Sequence, residues 1–196
     1  MNENKKRAAI CLLLCAAMSL SACAQDKKED EKPHALTFGS TEIVVEKTPV
    51  STLYDAGCST VVANRGANGE SSTTNVTGDT RLSANSVYYG FYVMKDGERQ
   101  MVVDVVTDDE DVTLADAKIS AVTVYGDDVS VSNMTFDGVL LTDLTEEKFG
   151  ELVPESDVGE HSASYRGGDY SLVCKWKDSG ELEQLQMERL YTAQYS

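Results

Sequence analysis

The stretch that decides the fold runs from Val87 to Thr107 and reads VYYGFYVMKDGERQMVVDVVT. Both of its ends are rich in Val, Tyr and Phe, which favour strands because they fit a pleated, half-buried surface. Asp96-Gly97 lies between them, and this dipeptide closes the two-residue turns of β-hairpins. We therefore predict strands at Val87–Met94 and Met101–Thr107, joined as a hairpin.

The same pattern of apolar runs and turn residues predicts strands on both sides of this hairpin. Gly39-Ser40-Thr41, Gly126-Asp127-Asp128, Asp137-Gly138 and Asp178-Ser179-Gly180 are the turn signals. The predicted strands are Leu36–Phe38, Glu42–Val45, Cys58–Ala63, Lys118–Tyr125, Val129–Phe136, Val139–Leu141, Ser162–Tyr165, Tyr170–Lys177 and Glu181–Tyr191.

Two short helices are predicted from their capping residues. Thr48 fits the N-cap of the first, with Pro49 at its first helical position and Gly57 just past its end. The second begins after Thr145 and ends before Pro154, with two glutamates in the first turn, where the helix dipole favours negative charge.

The segment Asn64–Asn85 contains Asn, Gly, Ser and Thr almost continuously and has little apolar surface to bury. We predict a 22-residue loop, and loops of this length are usually functional or disordered. A binding loop and a mobile insertion are both compatible with its sequence.

The fold class that follows is α+β, mainly antiparallel sheet with two short helices. The order strand, capped helix, strand and hairpin occurs twice, which predicts two tandem halves at 35–115 and 116–196. Chance recurrence of Asp-Gly turns is the alternative. The globular domain is predicted to span 35–196 and to follow a charged, flexible spacer that ends at His34.

The amino terminus carries a basic start, an apolar run from Ala8 to Leu20, and then Ser21-Ala22-Cys23. The run is shorter than the roughly 20 residues that span a bilayer, which is typical of a signal peptide. Leu20 to Cys23 resembles the lipobox of bacterial lipoproteins. The resemblance implies a signal peptide over 1–22, lipidation of Cys23 with palmitate-type chains, and a domain anchored to the cell membrane on its extracytoplasmic side.

The predicted element order resembles small secreted proteins of the beta-lactamase-inhibitor-protein type and small lipoproteins of the outer-membrane-assembly class. Thr145–Leu152 is the best-matching stretch, because those modules carry a short helix followed by antiparallel strands. The inhibitor module usually begins with two helices per repeat, whereas one is evident here. The chain also looks like uncharacterised bacterial lipoproteins with one compact α/β domain. These resemblances imply protein binding without catalysis.

A formal net charge of −16 argues against nucleic-acid binding and against basic contacts with anionic lipid. The acidic run Asp108–Asp111, with Asp104 and Asp116 nearby, could collect a divalent cation through oxygen ligands, but it lacks the EF-hand spacing. A solvated acidic turn is the simpler interpretation. No metal site and no cofactor is predicted.

No motif places a catalytic set, so the protein is predicted not to be an enzyme. The chain has two histidines, His34 and His161, and no sequence motif puts either beside a nucleophile. Cys58 and Cys174 would remain after signal removal, and the sequence is compatible with a disulfide between them or with two buried thiols.

Exposed tyrosines are enriched at recognition surfaces, and the strand after Ser86 has aromatics on both of its faces. The predicted interaction surface consists of Arg65, Tyr88, Tyr89 and Tyr92. The resulting hypothesis is a membrane-tethered binding module for an unknown protein or small molecule. A metal-dependent or hydrolytic enzyme using the acidic cluster, and a structural envelope component, are the alternatives.

Overall fold

The computed structural model describes residues 33–65 and 71–190, and its compact unit begins at His34. Within these residues the predicted class is confirmed, because strands predominate, all pairings are antiparallel and two short α-helices are present. The helices are α1 (Ser51–Asp55) and α2 (Glu146–Leu152). The strands are β1 (Leu36–Phe38), β2 (Thr41–Ile43), β3 (Ser59–Arg65), β4 (Ser71–Val76), β5 (Arg81–Leu82), β6 (Val87–Lys95), β7 (Glu98–Val106), β8 (Val112–Thr113), β9 (Lys118–Tyr125), β10 (Met134–Phe136), β11 (Val139–Leu140), β12 (Asp157–Gly159), β13 (Ser162–Gly167), β14 (Tyr170–Trp176) and β15 (Leu182–Arg189).

Nine of the described strands form one sheet in the order β12-β13-β14-β15-β9-β7-β6-β3-β4. A four-stranded sheet has the order β11-β10-β1-β2, and β5 pairs with β8. Strands β7 and β15 both run antiparallel to β9, so they run parallel to one another. The predicted halves 35–115 and 116–196 therefore both contribute strands to a single sheet.

The hairpin predicted from Asp96-Gly97 is confirmed, and the turn has the geometry that this dipeptide favours. Asp96 and Gly97 have φ values of 53° and 83°, in the left-handed region required at both central positions of a type I′ turn. Strand β7 lies between β6 and β9 in the sheet, and its residues Met101, Val103 and Val105 are fully buried or nearly so.

One hydrophobic core lies on a single face of the nine-stranded sheet. The four-stranded sheet contributes Leu36 and Ile43 to it, and α1 contributes Leu53, all with no exposed area. Burying one side chain of this size stabilises the fold by about 1.5–3 kcal/mol. The opposite face of the nine-stranded sheet is not part of this cluster.

Aromatic contacts anchor α2 to the sheet. Phe149 stacks on Phe136 of β10 with ring centroids 5.8 Å apart and meets the edge of Trp176 of β14 at 5.9 Å. The indole N–H of Trp176 donates to the carbonyl of Leu144 at 2.6 Å. The cap prediction is confirmed, since the Thr145 hydroxyl accepts from the Lys148 N–H.

The start of the first helix was predicted wrongly. The helix spans Ser51–Asp55, its N-cap is Val50, and no side chain caps it. The Thr48 hydroxyl instead accepts a hydrogen bond from the Val44 N–H, and Pro49 forms an isolated bridge with Lys118. The bridge to β9 holds Pro49 in extended conformation, so the helix begins later.

Two further assignments need correction. Within Asn64–Asn85, the predicted loop, residues 71–76 form strand β4 and residues 81–82 form β5. The stretch Val129–Phe136 is a 3-10 turn over Val129–Ser132 followed by β10, rather than one strand. The turn forms because the buried Ser130 hydroxyl donates to the Gln100 carbonyl on β7, which pulls the chain out of the sheet.

The disulfide alternative is wrong, because Cys58 and Cys174 are both free and buried. Cys58 immediately precedes β3, and Cys174 lies in β14. Four strands of the sheet separate β3 from β14. At about 4.8 Å per strand, the two sulfurs are on the order of 24 Å apart, far beyond the reach of a disulfide.

Candidate interaction surface

The face of the nine-stranded sheet opposite the core carries one unbroken cross-strand row. The strand registers align one residue from each strand, and from β3 to β13 these residues alternate with residues that face the core. From β4 to β12 the row is Asn75, Val61, Tyr92, Val102, Thr123, Gln186, Val173, Ser164 and Asp157. We call this row and the residues beside it the open face.

The row is uncharged from β4 to β13, and only Asp157 at its end carries charge. This neutrality is unusual for its setting, because the chain has a formal net charge of −16. In the middle of the row, Tyr92, Val102 and Gln186 are half-buried, so solvent reaches them from one side. The row is thus neutral, whereas the residues beside it on the open face include the charged Asp104 and Glu188.

Arg99 is held over the open face between two tyrosine rings. Its guanidinium lies 5.7 Å from the Tyr92 ring centroid and 5.0 Å from that of Tyr125. Its Nε donates to the buried carboxylate of Asp128, and Nη2 lies 3.2 Å from Asp127. Cation–π contacts of this kind contribute about 0.5–1 kcal/mol at exposed sites.

Burial by itself would lower the pKa of Arg99, but the hydrogen bond and charge of Asp128 outweigh that effect and raise it. Asp128 also accepts from the Tyr125 N–H at 2.8 Å, so one carboxylate fixes both the arginine and the start of the turn after β9. We call Arg99, Tyr92 and Tyr125 the Arg99 group. Because Asp128 fixes the arginine against the two rings, the group is already organised for contact with another surface.

A bulge in β6 exposes the most accessible tyrosine in the described residues. The β6–β7 register shifts between Tyr88 and Phe91, and Gly90 takes a φ of 77°. Tyr89, at this bulge, is 73% exposed. The Asp104 carboxylate on β7 accepts from the Gly90 N–H at 2.8 Å and so holds the bulge.

Asp104 is a half-buried carboxylate on the open face. Loss of hydration raises the pKa of its carboxyl group, and the Gly90 hydrogen bond offsets this only in part. Its cross-strand neighbour is Ala121, which is paired in turn with Glu188. Asp104 therefore holds the bulge through the Gly90 hydrogen bond and lies on the open face. It is not part of the acidic run at Asp108–Asp111.

The four residues predicted as an interaction surface are placed differently from one another. Tyr92 belongs to the open face, and Tyr89 projects into solvent at the bulge. Tyr88 is half-buried: it packs against the core, and its hydroxyl accepts from the Ser83 N–H at 2.8 Å. Arg65 pairs through its backbone with Ser71 at the end of β3, and its side chain lies outside the described part.

Sequence reasoning missed Arg99, Tyr125 and Thr123. The signal that could have found Thr123 and Tyr125 is the alternation at the end of strand β9, where Thr123 lies between buried Val122 and Val124 and Tyr125 follows Val124. Arg99 gives no such signal, because its position over the rings depends on pairing between β6, β7 and β9.

Three carboxylates in and beside the acidic run have separate partners within the protein. Asp108 pairs with the Lys118 ammonium at 2.7 Å, Asp111 accepts from the Ala84 N–H, and Asp116 accepts from the Thr113 hydroxyl. Asp108, Asp109, Glu110 and Asp116 line one cleft of about 160 Å³ together with Lys118, and Asp111 is not among its lining residues. Among the described residues, no group of three or more His, Cys, Asp or Glu side chains is arranged to hold a metal ion.

The other candidate groups are structural. His34 places Nδ1 2.5 Å from the Asp137 carboxylate and stacks on Phe136, so it fixes the chain where it enters the domain. His161 lies 3.5 Å from Glu146 and 3.8 Å from Asp178 at the surface. Burial raises the pKa of the Cys58 and Cys174 thiols, which disfavours the reactive thiolate.

Cys23, the predicted lipidation site, and the predicted signal peptide lie outside the described residues. In the part of the chain that is described, no helix has the length and hydropathy needed to cross a membrane. Comparison of the chain with protein-family models, with curated proteins and with solved structures gives no match, so the geometry above is the evidence on which a function has to be argued.

Proposed function

We propose that this protein is a non-catalytic interaction module, tethered to the cell membrane through a lipid on Cys23, whose open face binds a protein outside the cytoplasm. The observation that carries the proposal is the neutral cross-strand row from Asn75 to Ser164. A row of Tyr, Val, Thr and Gln offers contact area and hydrogen bonds without the cost of desolvating charges.

The Arg99 group supports a protein partner. Tyr and Arg are enriched among the residues that carry binding energy at protein interfaces. Arg99, Tyr92 and Tyr125 stand together on the open face and are held by Asp128, so little side-chain entropy remains to be lost on binding. Tyr89 extends the aromatic surface at the bulge.

The enzyme alternative gains no support from the acidic run, since Asp108, Asp111 and Asp116 each have a partner within the protein. The alternative of a uniformly charged structural component is disfavoured by the neutral row. We therefore retain the interaction module as the proposal.

Site-specific photocrosslinking in cells that produce the whole chain tests the open face. We expect a benzoylphenylalanine at Thr123, in the middle of the row, to give a discrete adduct of higher mass. The matched control carries the same group at Leu140, which is 40% exposed on β11 of the other sheet. The same adducts at both positions, or none at Thr123, would overturn the proposal.

The tether is tested separately. Replacing Cys23 with Ser removes the proposed acylation site, and acyl chains contribute about 0.8 kcal/mol per buried CH₂. We expect the variant to leave the membrane fraction or to stay unprocessed. Unchanged partitioning into membranes would refute the lipid anchor while leaving the open face untested by that result.

Duplication of the halves 35–115 and 116–196 is a further proposal, supported by element order alone. In each half the strands that follow the helix include three that are neighbours in the sheet, β3, β6 and β7 after α1 and β13, β14 and β15 after α2, while β4, β5 and β12 have no counterpart in this scheme. Producing residues 116–196 alone tests it: cooperative thermal unfolding of the fragment is expected, and a random-coil circular dichroism spectrum would count against a duplicated folding unit.

A further inference from the structure

The two edges of the nine-stranded sheet differ in how they are protected. Strand β12 is short, with three residues, includes Asp157, and is flanked by Glu155 and Glu160. Strand β4 has six residues, Ser71-Ser72-Thr73-Thr74-Asn75-Val76, without charge, proline or a recorded register shift. Natural sheets usually protect an edge with charge, proline, a bulge or short length, because an open edge pairs with other strands.

The outer part of strand β4 also extends beyond the core of the domain. At its base, the Thr60 hydroxyl donates to the Val76 carbonyl at 2.8 Å and bonds the Tyr54 hydroxyl at 2.8 Å. Beyond that point the side chains of residues 72–75 are exposed on both faces of the strand. Among the described strands, only β3 pairs with β4, so one side of β4 presents main-chain N–H and C=O groups outward.

We propose that β4 pairs antiparallel with β4 of a second copy of this chain, joining the two sheets edge to edge. Thr opposite Thr, and Ser opposite Asn or Thr, are neutral pairs that hydrogen-bond across strands, and no like charges oppose one another. A chain with a net charge of −16 needs such an uncharged strip wherever it meets its own copy.

A second copy fits this edge better than a foreign peptide does. Peptides that add to a sheet edge are selected by pockets that receive their alternate side chains. The exposed Ser and Thr residues on both sides of β4 form no such pocket. Self-pairing needs no pocket, because the strand supplies its own complementary partner through an isologous two-fold contact.

Symmetry fixes the register closely. A two-fold axis perpendicular to the sheet is the arrangement that sets two β4 strands side by side, antiparallel, with their core faces on the same side. Residues opposite each other must then belong to the same face, so their numbers differ by an even number. The residue midway between any such pair therefore lies opposite the same residue of the second copy. The centre of the strand places Thr73 or Thr74 in that position.

Disulfide trapping tests this register directly. Thr73→Cys and Thr74→Cys are introduced singly into the whole chain in its host membrane, and mild oxidation is followed by a non-reducing gel. Opposite residues of paired strands lie about 4.5–5.5 Å apart, within disulfide range. We expect one of the two variants to give a species at twice the apparent mass that the same chain has on a reducing gel.

The controls separate specific pairing from collision and from other partners. The parent chain sets the background, and Val158→Cys on β12 places an equally exposed thiol on the protected edge. Adding Thr74→Lys to Thr73→Cys, or Thr73→Lys to Thr74→Cys, should reduce the crosslinked species at least several-fold while the melting temperature stays within a few degrees. Equal crosslinking at Val158, no crosslink at either threonine, or a product with the mass of another protein would each overturn the proposal.

This test is independent of the open face. Thr123 lies on β9, separated from β4 by β7, β6 and β3, so pairing of β4 leaves the centre of the row uncovered. If the β4 crosslink fails and an adduct forms at Thr123, self-pairing is refuted and a partner on the open face is still supported. If the β4 crosslink forms and no adduct appears at Thr123, self-pairing is supported and the open-face proposal is refuted.

Discussion

The hairpins β6–β7 and β3–β4 are neighbours in the same sheet, yet different forces hold them. In β6–β7, alternate residues such as Val93, Met101 and Val103 are buried with at most 1% exposure. In β4, residues 72–75 are exposed on both sides of the strand. The first hairpin is stabilised by its hydrophobic face, and the second by main-chain pairing that continues outward from the first.

The comparison shows that a sheet can extend beyond its core. Strand β3 pairs with β6 only through residues 59–62, whereas its pairing with β4 continues to Arg65. The outer part of β3–β4 is therefore a polar arm whose base is fixed by Tyr54 and Thr60. Such an arm contributes little to folding, which leaves its residues available for contact with another molecule.

The largest effect should follow truncation of the central hairpin. Met101→Ala removes a fully buried side chain from β7, and such changes cost about 2–5 kcal/mol of unfolding free energy through lost burial and the resulting cavity. Urea denaturation followed by circular dichroism measures it. The exposed residue Glu98 on the same strand provides a control, Glu98→Ala, expected to change the value by less than about 0.5 kcal/mol. A loss below about 1 kcal/mol for Met101→Ala would show that the β6–β7 hairpin is not stabilised mainly by its buried face.

Glycine substitutions should change stability in opposite directions. Gly90 at the β6 bulge has a φ of 77° and no heavy atom within 4 Å of an added Cβ, so Gly90→Ala meets backbone strain alone, about 1–2 kcal/mol. Gly150 in α2 likewise has open space, and Gly150→Ala should stabilise the helix by up to about 1 kcal/mol. Thermal unfolding measures both changes in melting temperature. If the two substitutions shift the melting temperature in the same direction, the role given to the bulge is contradicted.

The Asp104 carboxylate should impose a pH dependence on the central hairpin. Burial raises its pKa above the value near 3.9 that an unfolded chain has. Between these two values the folded state binds a proton that the unfolded state lacks, so stability rises as pH falls through the folded pKa. Asp104→Asn keeps an acceptor for the Gly90 N–H without the charge.

We therefore expect Asp104→Asn to be more stable than the parent at pH 7 and its advantage to disappear as the pH approaches about 4. Urea midpoints measured at intervals from pH 7 to pH 4 provide the test. A difference that stays constant over this range would show that the charge of Asp104 has no influence on folding.

The smallest effect is expected in the polar arm. Thr74→Ala removes the acceptor of the Asn64 side-chain amide, a 2.8 Å hydrogen bond exposed to water, and should cost at most about 0.5 kcal/mol. Amide hydrogen exchange adds a direct comparison, since β4 should exchange much faster than the buried strand β7. Equal protection of the two strands would mean that the arm belongs to the cooperative core.

Strands with a buried face were predictable, and strands without one were not. Lys118–Tyr125 was predicted with the bounds that the structure has, because Val122 and Val124 alternate with polar neighbours. Residues 71–76 escaped prediction because Ser, Thr and Asn present no apolar period. Their strand exists since β3 offers a free side for pairing, and local sequence cannot report that.

The candidate surface was predictable only in part. Tyr89 and Tyr92 could be predicted from an aromatic-rich strand, whereas the packing of Tyr88 against the core depends on the bulge at Gly90, which changes which residues face the core. The first helix shows the same limit, since Thr48 and Pro49 form a good cap in sequence but are engaged by Val44 and Lys118.

By itself the sequence determined the hairpins, the antiparallel class and the capped helix α2, because apolar period, turn chemistry and capping act between residues close in the chain. Tertiary structure decided that the strands of both halves share one sheet, that Arg99 stands between Tyr92 and Tyr125, and that an uncharged row crosses the face from β4 to β13. These features depend on register between strands as distant as β6 and β15, and register is set by the packing of the common core.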